Sequence, residues 1–432
     1  MNIYNCQEAF GAWDKTTPAM RAALGEWFQL YYRDKPAGGE DPCQRIACTV
    51  VSKLVRAVFA EYSAHTDGDF AARVIRSLER HKHTALQLAL VGGECYIKPW
   101  PEGDGFGFTL IPRDHILIFA RDHRGIPTDV GTVEKSTMGS SYFTLLERRT
   151  VDEKGFLTIE NRLYRAYRPG ILGSRVPLSS HPLYGDLRER YTFEKTVGSV
   201  GLAQLKTPML NCVDGSGDGV SVYAPAVGLI HAIDRNEYLL SGEFERGQSR
   251  VFASSDLLRD GDLRENLFVG LDEDPERLGL TVFSPQLREQ SFLNRKQEYL
   301  RNVESVIGLK RGLLCDANMD QRTATEISAS QAEHSLTVMD FQSMWEKALE
   351  QTVELCARLA NLYGKEAAVT PVTVDWGNGV LFDEERLWQD YKDMVSRGLI
   401  LPEVALGWRF GMPADTTEDR AAIRAKFMPK GE

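Results

Sequence analysis

The sequence contains no GxxxxGK(S/T) loop; Gly364-Lys365-Glu366 is only the way out of a helix. Without that glycine-rich cradle and its lysine, the chain is not expected to hydrolyse ATP itself. It has no GxSxG nucleophile elbow and no cysteine in a persuasive histidine context. CxxC is missing too. The seven cysteines (Cys6, Cys43, Cys48, Cys95, Cys212, Cys315, Cys356) are scattered and odd in number. That argues against a zinc site or a disulfide framework and for reduced thiols in a cytosol. No apolar run approaches the roughly 18 residues of a membrane span, and no signal peptide is recognisable. Positive charge is also short. Against 61 Asp and Glu stand 51 Lys and Arg, for a net charge of −10 and a pI of about 5.5. A tight electrostatic grip on nucleic acid needs a basic face, which this balance argues against; it leaves room for DNA that passes without sticking.

What is present is ordinary in bulk and unusual in one place. The 432 residues suit roughly two to four domains, and 43% apolar with 26% charged residues is the composition of a folded protein. The longest stretch without glycine or proline is 313–363. Within it, Thr323-Ala324-Thr325-Glu326 has capping-box form, and Gly364 is placed to end the run in a left-handed C-cap. A helix from about 324 to 363 is expected, roughly 60 Å long at ~1.5 Å per residue. Its first half is small and polar (Ala324, Ser328, Ala329, Ser330, Ala332, Ser335). Its second half carries Val338, Phe341, Trp345, Leu349 and Leu359 at three-to-four spacing. One globular domain rarely needs such a beam, whereas a subunit of a larger assembly often does.

Periodicity divides the rest. Residues 1–35 read as helical, with Trp13, Leu24, Trp27 and Tyr31 on one face, and 43–64 and 69–91 as two amphipathic helices. From Gly92 the period shifts to two. Short strands are expected at 94–99, 106–111, 115–119, 130–135, 142–149, 155–167 and 176–178, joined by glycine, proline and aspartate turns as an antiparallel meander. A helix at about 221–246, a small irregular module at 248–288 with strands at 250–253 and 280–283, a helix at 289–307, a loop at 309–322, the beam, a strand at 372–376 and a helical tail at 383–427 complete an α+β chain.

Candidate chemistry is sparse. Asp214-x-Ser216-x-Asp218-Gly219 looks like the start of a calcium loop, but its twelfth position is Pro225, which cannot supply the bidentate carboxylate; a turn before a helix is the better reading. His81 and His83, two apart on a helix, face different sides. Asp272-Glu273-Asp274 lies beside Pro275 and reads as a solvated turn rather than a two-metal site. The mixed-charge loop 309–322 reads on spacing alone as well as a plain connector; were the protein a ring with this loop inside, Lys310 and Arg311 would touch phosphates weakly, while Asp316 and Asp320 would keep that surface from holding on.

Several segments together carry a family likeness: Asp218-Gly-Val-Ser-Val-Tyr-Ala-Pro-Ala with Ile233-Asp234 and Glu243-Phe-Glu-Arg; Arg322-Thr-Ala-Thr-Glu-Ile with Thr337-Val338 and Gln342; Leu145-Leu-Glu-Arg148 and Ile159-Glu-Asn-Arg-Leu-Tyr164; and Val374-Asp375-Trp376 with Phe382-Asp383 and Arg397-Gly-Leu-Ile400. On these the chain resembles tailed-bacteriophage portal proteins, in the group common in siphophages of Gram-positive hosts. The resemblance implies a non-enzymatic subunit, without cofactor or metal, of a twelve-membered ring at one capsid vertex of the virion, assembled in the host cytoplasm. Implied partners are further copies of itself, the major capsid protein, the terminase large subunit, the head–tail adaptor and double-stranded DNA in the channel, with no membrane. Implied regions are a wing (1–218), stem helices (219–247 and 289–308), a clip (248–288), a tunnel loop (309–322), a long helix with a wing strand (323–382) and a crown (383–432). Lys310, Arg311, Asn318, Gln321 and Arg322 would face the channel; Arg259, Asp260, Arg264, Asp272 and Asp274 would serve docking at the clip. The rival readings are another ring-forming tail or baseplate protein and, further off, a nucleic-acid enzyme.

Overall fold

A computed structural model describes residues 5–32, 41–247, 250–254, 268–271, 280–283, 286–316, 324–377 and 384–428. Helix accounts for 47% and strand for 20% of it, with antiparallel sheets alongside the helices, so the class is α+β. The chain divides into two compact units, Met1–Val58 with Ala64–Val374, and Phe59–Ser63 with Asp375–Glu432.

In the larger unit the N-terminal helical region is broken more often than periodicity predicts. Helices α1 (Asn5–Phe10) and α2 (Pro18–Tyr32) are separated where Gly11 takes a φ of 62°. Trp13, expected on the helical face, lies in that break and is exposed, while Leu24 and Trp27 are buried as expected. The reason is the segment's second job. Asp14 Oδ1 accepts the Ile118 N–H at 3.1 Å, and the Lys15 N–H donates to the Ile118 oxygen at 2.7 Å. An extended segment thereby covers a sheet edge that would otherwise be open. Helix α3 spans Ile46–Val58, and strand β1 spans Ser63–His65. The single helix expected at 69–91 is two, α4 (Asp69–Glu79) and α5 (Lys82–Gly92), so His81 sits at a break and His83 in the first turn of α5.

The expected meander splits into two sheets. Strands β2 (Glu94–Glu102) and β3 (Gly105–Pro112) form a hairpin, and β10 (Ala203–Lys206), absent from the sequence reading, pairs with β2 in a three-stranded sheet. Strands β4 (Ile116–Arg121), β5 (Pro127–Met138), β6 (Ser141–Val151), β7 (Leu157–Ala166) and β8 (Ser174–Val176) follow in sequence order in a six-stranded sheet, whose remaining strand β9 (Arg190–Thr192) also pairs with β7. Alternation puts Leu117, Phe119, Val133 and Leu146 against Cys6 and Phe10 of α1, and Ile116 and Val130 against Tyr96, Ile111, Val200 and Leu202.

Two antiparallel helices come next. Proline at 225 holds Ala224–Ala226 in a 3-10 turn, so α6 runs Val227–Arg246, six residues later than the apolar spacing suggests; α7 runs Glu289–Ile307. They pack along Ile230, Ile233, Leu300 and Val303, and Asn236 donates to the Phe292 oxygen at 3.1 Å. At their outer ends Arg288 grips Glu243 with two hydrogen bonds of 3.0 and 2.9 Å. Between them a three-stranded sheet has the order β12 (Phe268–Leu271), β11 (Arg250–Ser254), β13 (Leu280–Phe283). The strands at β11 and β13 were expected. Strand β12, parallel to β11, was not, because a four-residue apolar run is too short to separate from loop.

The helix α8 runs Ala324–Leu362, 39 residues and about 58 Å at ~1.5 Å per residue. Thr323 lies outside the described residues, so the capping box does too. The apolar half is buried as its spacing requires: Val338, Phe341, Trp345, Leu349 and Leu359 are at most 5% exposed. Gly364 ends it at a φ of 74°, with the Lys365 N–H donating to the Ala360 oxygen at 3.0 Å. Strand β14 occupies Thr373–Asp375.

In the smaller unit the expected tail is three helices, α9 (Glu384–Ser396), α10 (Pro402–Arg409) and α11 (Thr417–Phe427), broken at Gly398 and Gly411, both at positive φ. Tyr391 stacks on Trp408, Phe410 on Phe427, and Arg424 Nε binds the buried Glu403 at 2.6 Å.

Candidate functional site

The chain's entry into the helix pair and its exit from it are fixed in different ways. The chain reaches α6 through Asp214–Ala226. Asp214 is a turn acceptor, taking the Ser216 N–H at 2.9 Å and Asn211 Nδ2 at 2.8 Å, with Thr17 Oγ1 also donating to it; this is the turn the sequence suggested in place of a calcium loop. Asp218 is buried, and Arg121 and Arg113 both reach its Oδ1, Arg113 at 3.4 Å. Arg113 is fully buried and its Nε lies 3.3 Å from Glu94 Oε2. Glu94 in turn accepts from Tyr96 Oη at 2.7 Å and from the Gly219 N–H at 2.8 Å. Two arginines therefore face two carboxylates with no charge left over. Burial pushes the Glu94 carboxyl up, but Arg113, the Gly219 N–H and Tyr96 outweigh it and hold it below the usual range. Gly219 is required here: a Cβ on it would lie 2.3 Å from the Gly93 oxygen. Tyr223 Oη donates to the Trp27 oxygen at 2.8 Å, locking the next turn to α2.

The chain leaves α7 through a tied loop. Gly308 closes the helix at a φ of 74°, the Leu309 N–H donates to the Glu304 oxygen at 2.8 Å, and a Cβ at 308 would lie 2.5 Å from Thr337 Oγ1 of α8. Leu309 and Cys315 are buried, while Lys310 and Arg311 are exposed in the turn between them. The Glu304 side chain, 0% exposed, accepts the N–H groups of Gly312 and Cys315 at 3.1 Å each, that of Leu314, and the Cys315 thiol at 3.1 Å. Gln297 meets Asp316 twice, accepting its N–H at 2.8 Å and donating Nε2 to its carboxylate at 2.9 Å. Burial, then Glu304, raise the Cys315 thiol above its ordinary value, so the sulfur stays protonated and donates.

Of the predicted site residues, the structure brings Lys310 and Arg311 together on this turn. Asn318, Gln321 and Arg322 lie outside the described residues, as do Arg259, Asp260, Arg264, Asp272 and Asp274. Sequence reasoning missed Glu304 and Gln297. The signal was there for Glu304: it falls on the apolar face marked by Leu300, Val303 and Ile307, where a carboxylate needs donors, and in a last helical turn, where the dipole disfavours it. Among the described residues no group of three or more His, Cys, Asp or Glu is placed to hold a metal ion, and no helix is long and apolar enough to cross a membrane.

A helix pair bearing a small sheet at one end and a tied, cation-tipped loop at the other, followed by a helix of 39 residues, defines a connector subunit. The chain belongs to a family described as phage portal protein, SPP1 Gp6-like, whose family model matches residues 79–412 of the 432. No curated protein matches it. It is thus a phage structural protein of the head–tail connector, a virion component with a part in genome packaging.

Proposed function

We propose that twelve copies close into a ring at one capsid vertex and that double-stranded DNA enters and leaves the head through its bore. In this reading residues 1–218 form the wing beside the major capsid protein, α6 and α7 the stem, and 248–288 the clip that docks the terminase large subunit and later the head–tail adaptor. Residues 309–322 are the tunnel loop, 323–382 the long helix with a wing strand, and 383–432 the crown. The turn carrying Lys310 and Arg311 supports this most, because it offers two exposed cations on a base tied to the stem. Two cations per subunit in a chain of net charge −10 suit DNA that slides. Apolar side chains left exposed on the stem helices (Tyr238, Phe244, Leu293, Val306) suit contacts with neighbouring copies, and a closed ring uses two different faces per subunit.

The test is the double substitution Lys310→Ala with Arg311→Ala. Rings are expected to assemble normally while the yield of DNA-filled heads falls; an unchanged yield refutes the tunnel role. Deleting residues 256–276 is expected to leave the ring intact and abolish terminase pull-down, and undiminished pull-down refutes the docking role.

A further inference from the structure

We infer that Glu304 is a positioning residue for the DNA-contacting loop: with Gln297 it folds residues 309–316 into a fixed bracket that presents Lys310 and Arg311. This deepens the tunnel-loop reading and rests on it. Four donors converge on one carboxylate, three of them the backbone N–H groups of Gly312, Leu314 and Cys315. Only an ionised carboxylate is acceptor-only on both oxygens; glutamine in its place would set an NH2 against one set of donors. Among the described residues the partners of Glu304 are these donors and no lysine or arginine ion pair. Loop dipoles thus compensate a charge that burial and the helix C-terminus both oppose. Packing alone would be served at position 304 by leucine, which fits the stripe of Leu300, Val303 and Ile307. What the carboxylate adds is the shape of the loop. Gln297 extends the tie one residue further, to Asp316, and Gly308 seats the other end against Thr337 of α8. Lys310 and Arg311 lie between the two fixings, so a push on the turn is passed to both the stem and the long helix.

The experiment compares full-length rings of the wild type, Glu304→Gln, Gln297→Ala and the Lys310→Ala/Arg311→Ala double variant, by amide hydrogen exchange and by yield of DNA-filled heads. In Glu304→Gln the amides of Gly312, Leu314 and Cys315 are expected to exchange roughly ten- to a hundred-fold faster, the range for losing hydrogen bonds to a charged group. Filled heads should fall as in the double variant, although both cations remain. Gln297→Ala should speed the Asp316 amide only a few-fold and lower the yield less. Unchanged exchange at 312–315 in Glu304→Gln overturns the inference, as does faster exchange with a wild-type yield while the double variant loses heads. A wild-type yield in the double variant instead sinks the tunnel reading, with the exchange data still deciding whether Glu304 holds the bracket. Should Glu304→Gln fail to form rings, Gln297→Ala decides: unchanged exchange at Asp316 or an undiminished yield counts against the inference.

Discussion

The chain's entry into the helix pair and its exit from it are each held by buried carboxylates, and the two arrangements differ in kind. Where the chain approaches α6, Glu94 and Asp218 face Arg113 and Arg121. Where it leaves α7, Glu304 faces, among the described residues, backbone N–H groups and a thiol. The first is an ion cluster inside the larger unit: losing either sign strands the other in a medium that solvates it poorly. The second is a sum of modest dipolar contacts, each of which can be lost separately. The first arrangement suits a joint that stays put, the second a loop base that yields by degrees.

Breaking the first arrangement should have the largest effect. Arg113→Ala leaves Glu94 and Asp218 buried with less compensation and is expected to cost about 3–5 kcal/mol, read by urea denaturation; a loss under about 1 kcal/mol would mean water replaces the guanidinium. Another buried carboxylate sharpens the contrast. Burial pushes the Glu147 carboxyl up, but Arg149 and Lys98 overcome this and hold it at about 2. A carboxyl depressed in the folded state stabilises at neutral pH and loses that contribution as pH falls from the unfolded value of about 4.5 toward 2. The whole is worth about 3 kcal/mol. Glu147→Gln should start less stable at pH 7 and lose less between pH 5 and 3; parallel pH profiles would refute this. At the exit from α7, Glu304→Gln is expected to cost about 1–3 kcal/mol, felt more in loop exchange than in global unfolding, and equal losses by both measures would erase the distinction. The smallest effect is chemical. With iodoacetamide at pH 8 the exposed Cys212 should label first and the buried Cys315 much later; Glu304→Gln should narrow the gap.

The sequence shows the architecture where one period runs long enough. The stripe Val338–Leu359 and the helix at 289–307 come out of spacing alone, and the alternation in β5 to β7 predicts their burial. It misleads where backbone groups are needed elsewhere. Residues 11–17 look helical, yet Asp14 and Lys15 are drawn out to cover β4. Strands β9, β10 and β12 of three or four residues carry too few positions to alternate, and their places are set by partners far along the chain. The candidate loop was legible in its charges, since Lys310 and Arg311 stand out from composition. Its support was not, because Glu304 draws its donors from a turn that has no pattern of its own.

Gly247 and Leu287 lie so close that a Cβ on the glycine would meet Leu287 Cδ2 at 2.1 Å, and Glu243 and Arg288 clasp beside them. The small sheet of β11 to β13 therefore begins and finishes at one spot, hung from the rest of the chain like a pendant on a closed link. Replacing it wholesale asks only that the newcomer's ends meet there. A lineage changing its partners could exchange the pendant and leave the helices, the loop and the beam untouched.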